Sequence, residues 1–132
     1  MHFCEIRLTE QPLDATVAPF SRTEGAVVDF FGVVRTIENE RTIDGIEYEA
    51  FEPMARRQLG LIADAAGDRY GLVSVIIHHR IGFVPAGEAS LFVRVTARHR
   101  RAAFDGSSHI IDRLKQVVPI WKHPVYSSVQ IA

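Results

Sequence analysis

Gly25-Ala26-Val27-Val28-Asp29-Phe30-Phe31-Gly32-Val33-Val34 is the stretch on which the fold turns. Asp29 is its one charged residue. A run this apolar does not suit a strand with one solvated face, so it reads as a central strand covered on both sides. Gly32 within it marks a bulge or a close backbone contact. Such a strand needs hydrogen-bonded neighbours and helices laid over it.

The flanking sequence offers both. Upstream, Cys4, Ile6 and Leu8 alternate with polar residues as a short strand does, and Leu13, Val17 and Phe20 have helical spacing that ends near Pro19. Downstream, Thr36 to Gly45 is polar and charged and reads as a mobile loop, followed by a strand through Ile46, Tyr48 and Ala50, reaching towards Glu52. Pro53 suits the first turn of a helix whose apolar face is Met54, Gln58, Leu61, Ile62, Ala65 and Ala66, with Gly71 as its stop. Leu72–His79 and Ala89–Thr96 are strands separated by a Pro85-Ala86-Gly87 turn. Phe104, Ser107, Ile111, Leu114 and Val118 mark a second helix, which Pro119 ends. Mixed strands and helices, with neighbouring strands free to pair antiparallel, give an α+β fold as one domain over residues 1–132.

Bulk properties narrow the function classes. With 132 residues, 47% of them hydrophobic and 23% charged, the chain can bury one ordinary core. A formal net charge of −1 gives no reason to expect nonspecific nucleic-acid or membrane binding. Met1-His2-Phe3-Cys4-Glu5 does not read as a secretion signal, and no apolar run approaches a membrane span, so a cytoplasmic location is expected. Cys4, the single cysteine, reads as a small apolar strand residue, with a reactive thiol as the lesser alternative.

No metal is expected. His78 and His79 are adjacent on a strand and point to opposite faces, and no Cys/His spacing resembles a zinc site. His2, His109 and His123 lack suitably spaced partners, and Asp64 and Asp68, four apart on a helix, read as solvated. No GxGxxG loop or strained serine turn appears.

Three places could carry chemistry. Arg35 closes the apolar strand and offers a planar fork for phosphate or carboxylate, although position alone also allows a surface salt bridge. Arg98-His99-Arg100-Arg101 precedes the last helix, whose N-terminus favours anions; a solvated basic turn is the alternative. Lys115 and Lys122 flank Pro119-Ile120-Trp121. Partial burial beside other cations would lower a lysine pKa and make the amine a nucleophile or proton donor, against the alternative of two snorkelling surface lysines.

Taken together, these segments resemble the MoaE family of molybdopterin synthase catalytic subunits. Gly25 to Arg35 is similar to its apolar strand closed by Gly-x-Val-Arg, and Tyr48-Glu49-Ala50-Phe51-Glu52-Pro53-Met54-Ala55 to its second block. His79-Arg80-Ile81-Gly82 with Pro85-x-Gly87-Glu88 resembles the third, and Thr96 to Phe104 the His-Arg-x-x-Ala-Phe block. Asp112-Arg113-Leu114-Lys115 followed by Pro119-Ile120-Trp121-Lys122 resembles the most telling one.

The resemblance implies an α/β-hammerhead type of fold, with a mixed or antiparallel sheet and packed helices. It implies a homodimeric core of a heterotetramer that binds a small ubiquitin-like sulfur carrier of MoaD type. The carrier's C-terminal thiocarboxylate would deliver two sulfurs to cyclic pyranopterin monophosphate, with no cofactor and no metal. Lys115 would act as nucleophile or acid–base group, and Lys122 would orient substrate or move protons. Val33, Val34, Arg35, His99 and Arg100 match substrate-binding positions. Beside Lys122 stand His123 and Pro124, where the family usually has an acidic residue two positions after the lysine and then a longer tail. His123 is counted with the site as a possible proton carrier. These departures keep an alternative open: a catalytically weakened paralogue that serves as a carrier-binding interaction module.

Overall fold

The computed structural model describes residues 2–13, 20 and 23–128. Along the chain run β1 (Phe3–Thr9), β2 (Ala26–Val33), β3 (Ile37–Glu38), β4 (Arg41–Ala50), α1 (Glu52–Tyr70), β5 (Ser74–Arg80), β6 (Gly82–Pro85), β7 (Ala89–Ala97), α2 (Arg100–Val117) and β8 (Ile120–Tyr126). One sheet has the order β1-β5-β7-β2, parallel between β1 and β5 and antiparallel elsewhere. In the second sheet β4 is the hub and pairs antiparallel with β3, β6 and β8. The architecture is α+β, as expected, with a mixed sheet and, among the described residues, two packed helices.

The helices lie against each other and against the large sheet. On α1 the buried residues are Ala55, Leu59, Ile62, Ala63, Ala66 and Gly67. This face is turned from the expected one, because Met54 and Leu61 are exposed. The small side chains explain the choice: alanine and glycine let the helix approach its neighbours, and Leu59 and Ile62 fill the space between. Pro53 sits in the first turn and Gly71 caps the helix with φ of 65°, both as the sequence suggests. On α2 the buried residues are Ala103, Gly106, Ser107, Ile110 and Leu114, while Phe104 faces out and Val118 is the cap. Val75, Ile77, Val93 and Val95 supply the sheet side of this core, each fully buried.

Two further expectations are corrected. The Gly25–Val34 stretch is not central: β2 is an edge strand of its sheet. Its inner face packs on the core through Ala26, Val28 and Phe30, whereas Phe31 and Val33 lie 40% and 53% exposed. Both faces are apolar, but the Phe31 and Val33 face is left open by the described residues. Gly32 does mark an irregularity, with the β2–β7 register shifting between Gly32 and Val33. Asp29 pins that register, since Arg94 Nε and Nη2 donate to its two carboxylate oxygens at 2.6 and 2.7 Å.

The supposed loop at 36–45 is a hairpin. Asn39 and Glu40 have φ of 54° and 62°, the two left-handed residues of a tight type I′ turn. Asn39 Nδ2 donates to the Tyr126 hydroxyl at 3.0 Å, and the Arg41 guanidinium stacks 3.9 Å over the same ring. Tyr126 belongs to β8, a strand not expected from the sequence, so the order of this turn depends on a residue 87 positions from Asn39. The helix expected over Leu13–Phe20 falls mostly outside the described residues.

Candidate active site

A cavity of about 500 Å3 opens where the two sheets meet the end of α2. Each wall has a local cause. Beyond the irregularity at Gly32, Val34 is buried and Arg35 projects at the rim. Helix α2 delivers Leu114 to the core and, one residue on, Lys115 to the cavity. Pro119 then stops the helix, and β8 runs back along β4 with Lys122 opposite Tyr48. Paired residues share a sheet face, so Tyr48 and Lys122 look into the same space.

The floor is polar and closed by its own hydrogen bonds. The Tyr48 hydroxyl donates to Ser90 Oγ at 3.1 Å, and Ser90 donates to the Gly32 carbonyl at 3.4 Å. Burial pushes the Tyr48 pKa up, so this phenol stays a proton donor. His79 is buried and donates Nδ1–H to the Arg80 carbonyl at 2.7 Å. That bond fixes the tautomer and leaves Nε2 as an acceptor. Burial lowers the His79 pKa, outweighing the backbone bond that raises it, so the ring is neutral near pH 7. Tyr48 meets the ring edge-on at 5.3 Å.

The rim is cationic. Among the described residues, Arg35, Lys115 and Lys122 line the cavity against one carboxylate, Glu38, a balance of three positive charges to one negative. Glu38 lies 3.7 Å from Lys122 Nζ. Both lysines are exposed rather than partly buried as expected.

Of the residues singled out in the sequence, Val33, Val34, Arg35, Lys115 and Lys122 therefore come together. His99 and Arg100 do not. They stand at the N-terminus of α2, fifteen residues and about 22 Å of helix before Lys115. His123 alternates to the other face of β8, where its Nε2 lies 3.1 Å from Glu49 Oε1, and Pro124 sits beyond Lys122 opposite Ile46. Sequence reasoning missed Glu38, Tyr48, Ser90 and His79. For two of them a signal was available: Val75, Ile77 and His79 alternate on one buried face, as do Ile46 and Tyr48. Glu38 lay in the segment read as a loop, so nothing aimed it at the site.

Fold and site together define an α+β protein with a cation-rimmed cleft suited to a small anionic ligand. The family model described as MoaE protein matches residues 6–117, and the chain belongs to that family. A molybdopterin synthase catalytic subunit from Bacillus subtilis is 39% identical over 105 residues, covering 80% of this chain and 67% of that relative. Its counterpart from Pyrococcus abyssi is 36% identical over 126 residues, covering 92% and 85%. Among solved structures, molybdopterin synthase from Staphylococcus aureus superposes with a TM-score of 0.82 at 30% identity, covering 96% of this chain and 93% of that one. A Helicobacter pylori complex of subunits 1 and 2 of molybdopterin-converting factor shares the fold, with a TM-score of 0.73 at 23% identity over 97% and 88% of the two chains.

Proposed function

We propose that the chain is the catalytic subunit of a molybdopterin synthase. It moves sulfur twice, from the C-terminal thiocarboxylate of a small ubiquitin-like carrier of MoaD type onto cyclic pyranopterin monophosphate. The observation that carries this reading is the convergence of Arg35, Lys115 and Lys122 on one cavity. Its volume falls in the usual range for small-ligand pockets, ~300–1,000 Å3. Both reactants are anionic, and fixed positive charge at the rim holds the phosphate and steadies the charge that develops at the acyl sulfur. Lys115 serves as nucleophile or acid–base group, and Lys122 orients the substrate with Glu38 as its positioning carboxylate. Glu38 stands in for the acidic residue that the family places after Lys122. The reaction needs no cofactor or metal, because the sulfur arrives activated.

His99 and Arg100 enter this reading through a homodimer. Helix α2 is too long for them to reach their own cavity, so they serve the cavity of a partner protomer. The apolar outer face of β2, with Phe31 and Val33 exposed, supports such pairing. The same reading places the protein in the cytoplasm. No helix among the described residues is long and apolar enough to cross a membrane.

Reconstitution tests the proposal. The chain, a thiocarboxylated carrier and cyclic pyranopterin monophosphate are mixed and assayed for the dithiolene product. Product is the expected result. Carrier binding without product would leave only the interaction-module alternative.

A further inference from the structure

We infer that His2, Cys4 and Asp64 form a binding site for a divalent transition metal of the zinc class. The site lies at the β1 edge of the large sheet, and no residue of β1 or α1 lines the catalytic cavity. Three kinds of donor meet there: an imidazole nitrogen, a thiol sulfur and a carboxylate oxygen, all within 4.8 Å of one another. His2 Nε2 is 3.3 Å and Cys4 Sγ 3.4 Å from the same oxygen, Asp64 Oδ1. Bonds of ~2.0–2.3 Å on a zinc tetrahedron put neighbouring donor atoms roughly 3.3–3.6 Å apart. The two pairs that share Asp64 Oδ1 thus already have nearly the spacing that an ion requires, and the His2 and Cys4 donors lie within 4.8 Å of each other. Three protein ligands of mixed N, S and O type leave a fourth position for water.

Two further features support the ligand role of His2. Asp68 Oδ1 lies 3.6 Å from Nδ1, the other ring nitrogen. A carboxylate behind a ligating histidine orients the ring and raises its basicity. Helix α1 is also notched to receive the ring. A side chain at Gly67 would put its Cβ 2.5 Å from His2 Nε2. Glycine inside a helix is disfavoured relative to alanine. Here the missing Cβ lets the His2 side chain sit 10% exposed against the helix.

Sequence spacing does not reveal this cluster. His2 and Cys4 project from one side of the first strand, Asp64 and Asp68 are four apart on α1, and about sixty residues separate the pairs. On loading, the Cys4 thiol releases its proton to solvent and the sulfur binds as thiolate. The ion then ties the start of β1 to α1.

The test uses the full chain without an affinity tag, stripped with a chelator. It is titrated with zinc in competition with a chromophoric chelator, and separately with cobalt(II) followed by absorption. One zinc per chain and a near-ultraviolet cobalt–thiolate charge-transfer band are expected. Cys4→Ser should abolish the band and weaken zinc binding by more than about tenfold, and Asp68→Asn should weaken it about 10–100-fold. Gly67→Ala should displace the ring and weaken binding as well. If that variant does not fold, Cys4→Ser and Asp68→Asn, verified by circular dichroism, decide the matter. No zinc binding by the wild-type chain, no thiolate band, or unchanged affinity in Cys4→Ser would each overturn the assignment.

Discussion

Among the described residues, sixteen buried apolar side chains close the large sheet against its helices, while five hold the small sheet around β4. Charge is used differently in the two regions. In the large sheet Arg94 is buried and spent on Asp29, a bidentate pair that locks β2 to β7 and holds the guanidinium protonated. At the junction with the small sheet Arg35, Lys115 and Lys122 stay exposed at a cavity rim. These cations are placed by backbone: a strand end, a helix end and the β4–β8 register. The contrast teaches that, on the proposed function, stability and chemistry are largely separable in this molecule. A rigid core supplies stable mounts, and the side chains assigned to the reaction contribute little to folding.

Substitutions can break or sharpen that separation. Leu59→Ala, in the centre of the large core, should cost ~4 kcal/mol of unfolding free energy in urea titrations while activity per folded molecule is preserved. Asp29→Ala should come next at about 3 kcal/mol, because it strands the Arg94 charge in a buried setting. Ile46→Ala, in the small cluster, should cost about 2 kcal/mol, since fewer neighbours enclose it, and should also lower turnover by deforming the cavity wall. If its stability loss matched that of Leu59→Ala, the two regions would be one core.

His79 gives a pH test. Its folded pKa lies below the ordinary 6.5, so its contribution to stability is complete above that value and is lost as pH falls through the lowered pKa. Urea midpoints should therefore decline below about pH 6.5, and His79→Gln should flatten the decline. The smallest effect belongs to Glu38→Gln. It should change stability by less than about 0.5 kcal/mol and reduce kcat at most about fivefold, because the Lys122 pair is half exposed.

The sequence made the main elements legible where a local rule decides them. Gly71 and Pro53 bound α1, Pro119 ends α2, and Gly87 takes the left-handed turn with φ of 91°. It failed where distant partners decide. Ile120–Tyr126 carries Pro124 and alternates poorly, yet β4 makes it a strand, and β8 in turn orders the turn at Asn39. Two-sided apolarity placed β2 in the middle of a sheet because nothing in one chain reports which face a second copy could cover. Lys115 and Lys122 were found through their flanking motif, whereas His79 and Glu38 required the fold to bring them round.

The most direct measurement is product formation by Lys115→Ala, made on the same preparation as its melting temperature and oligomeric state. Turnover should fall at least about a hundredfold with melting temperature and assembly unchanged. Near-normal turnover from that well-folded variant would contradict the role assigned to Lys115.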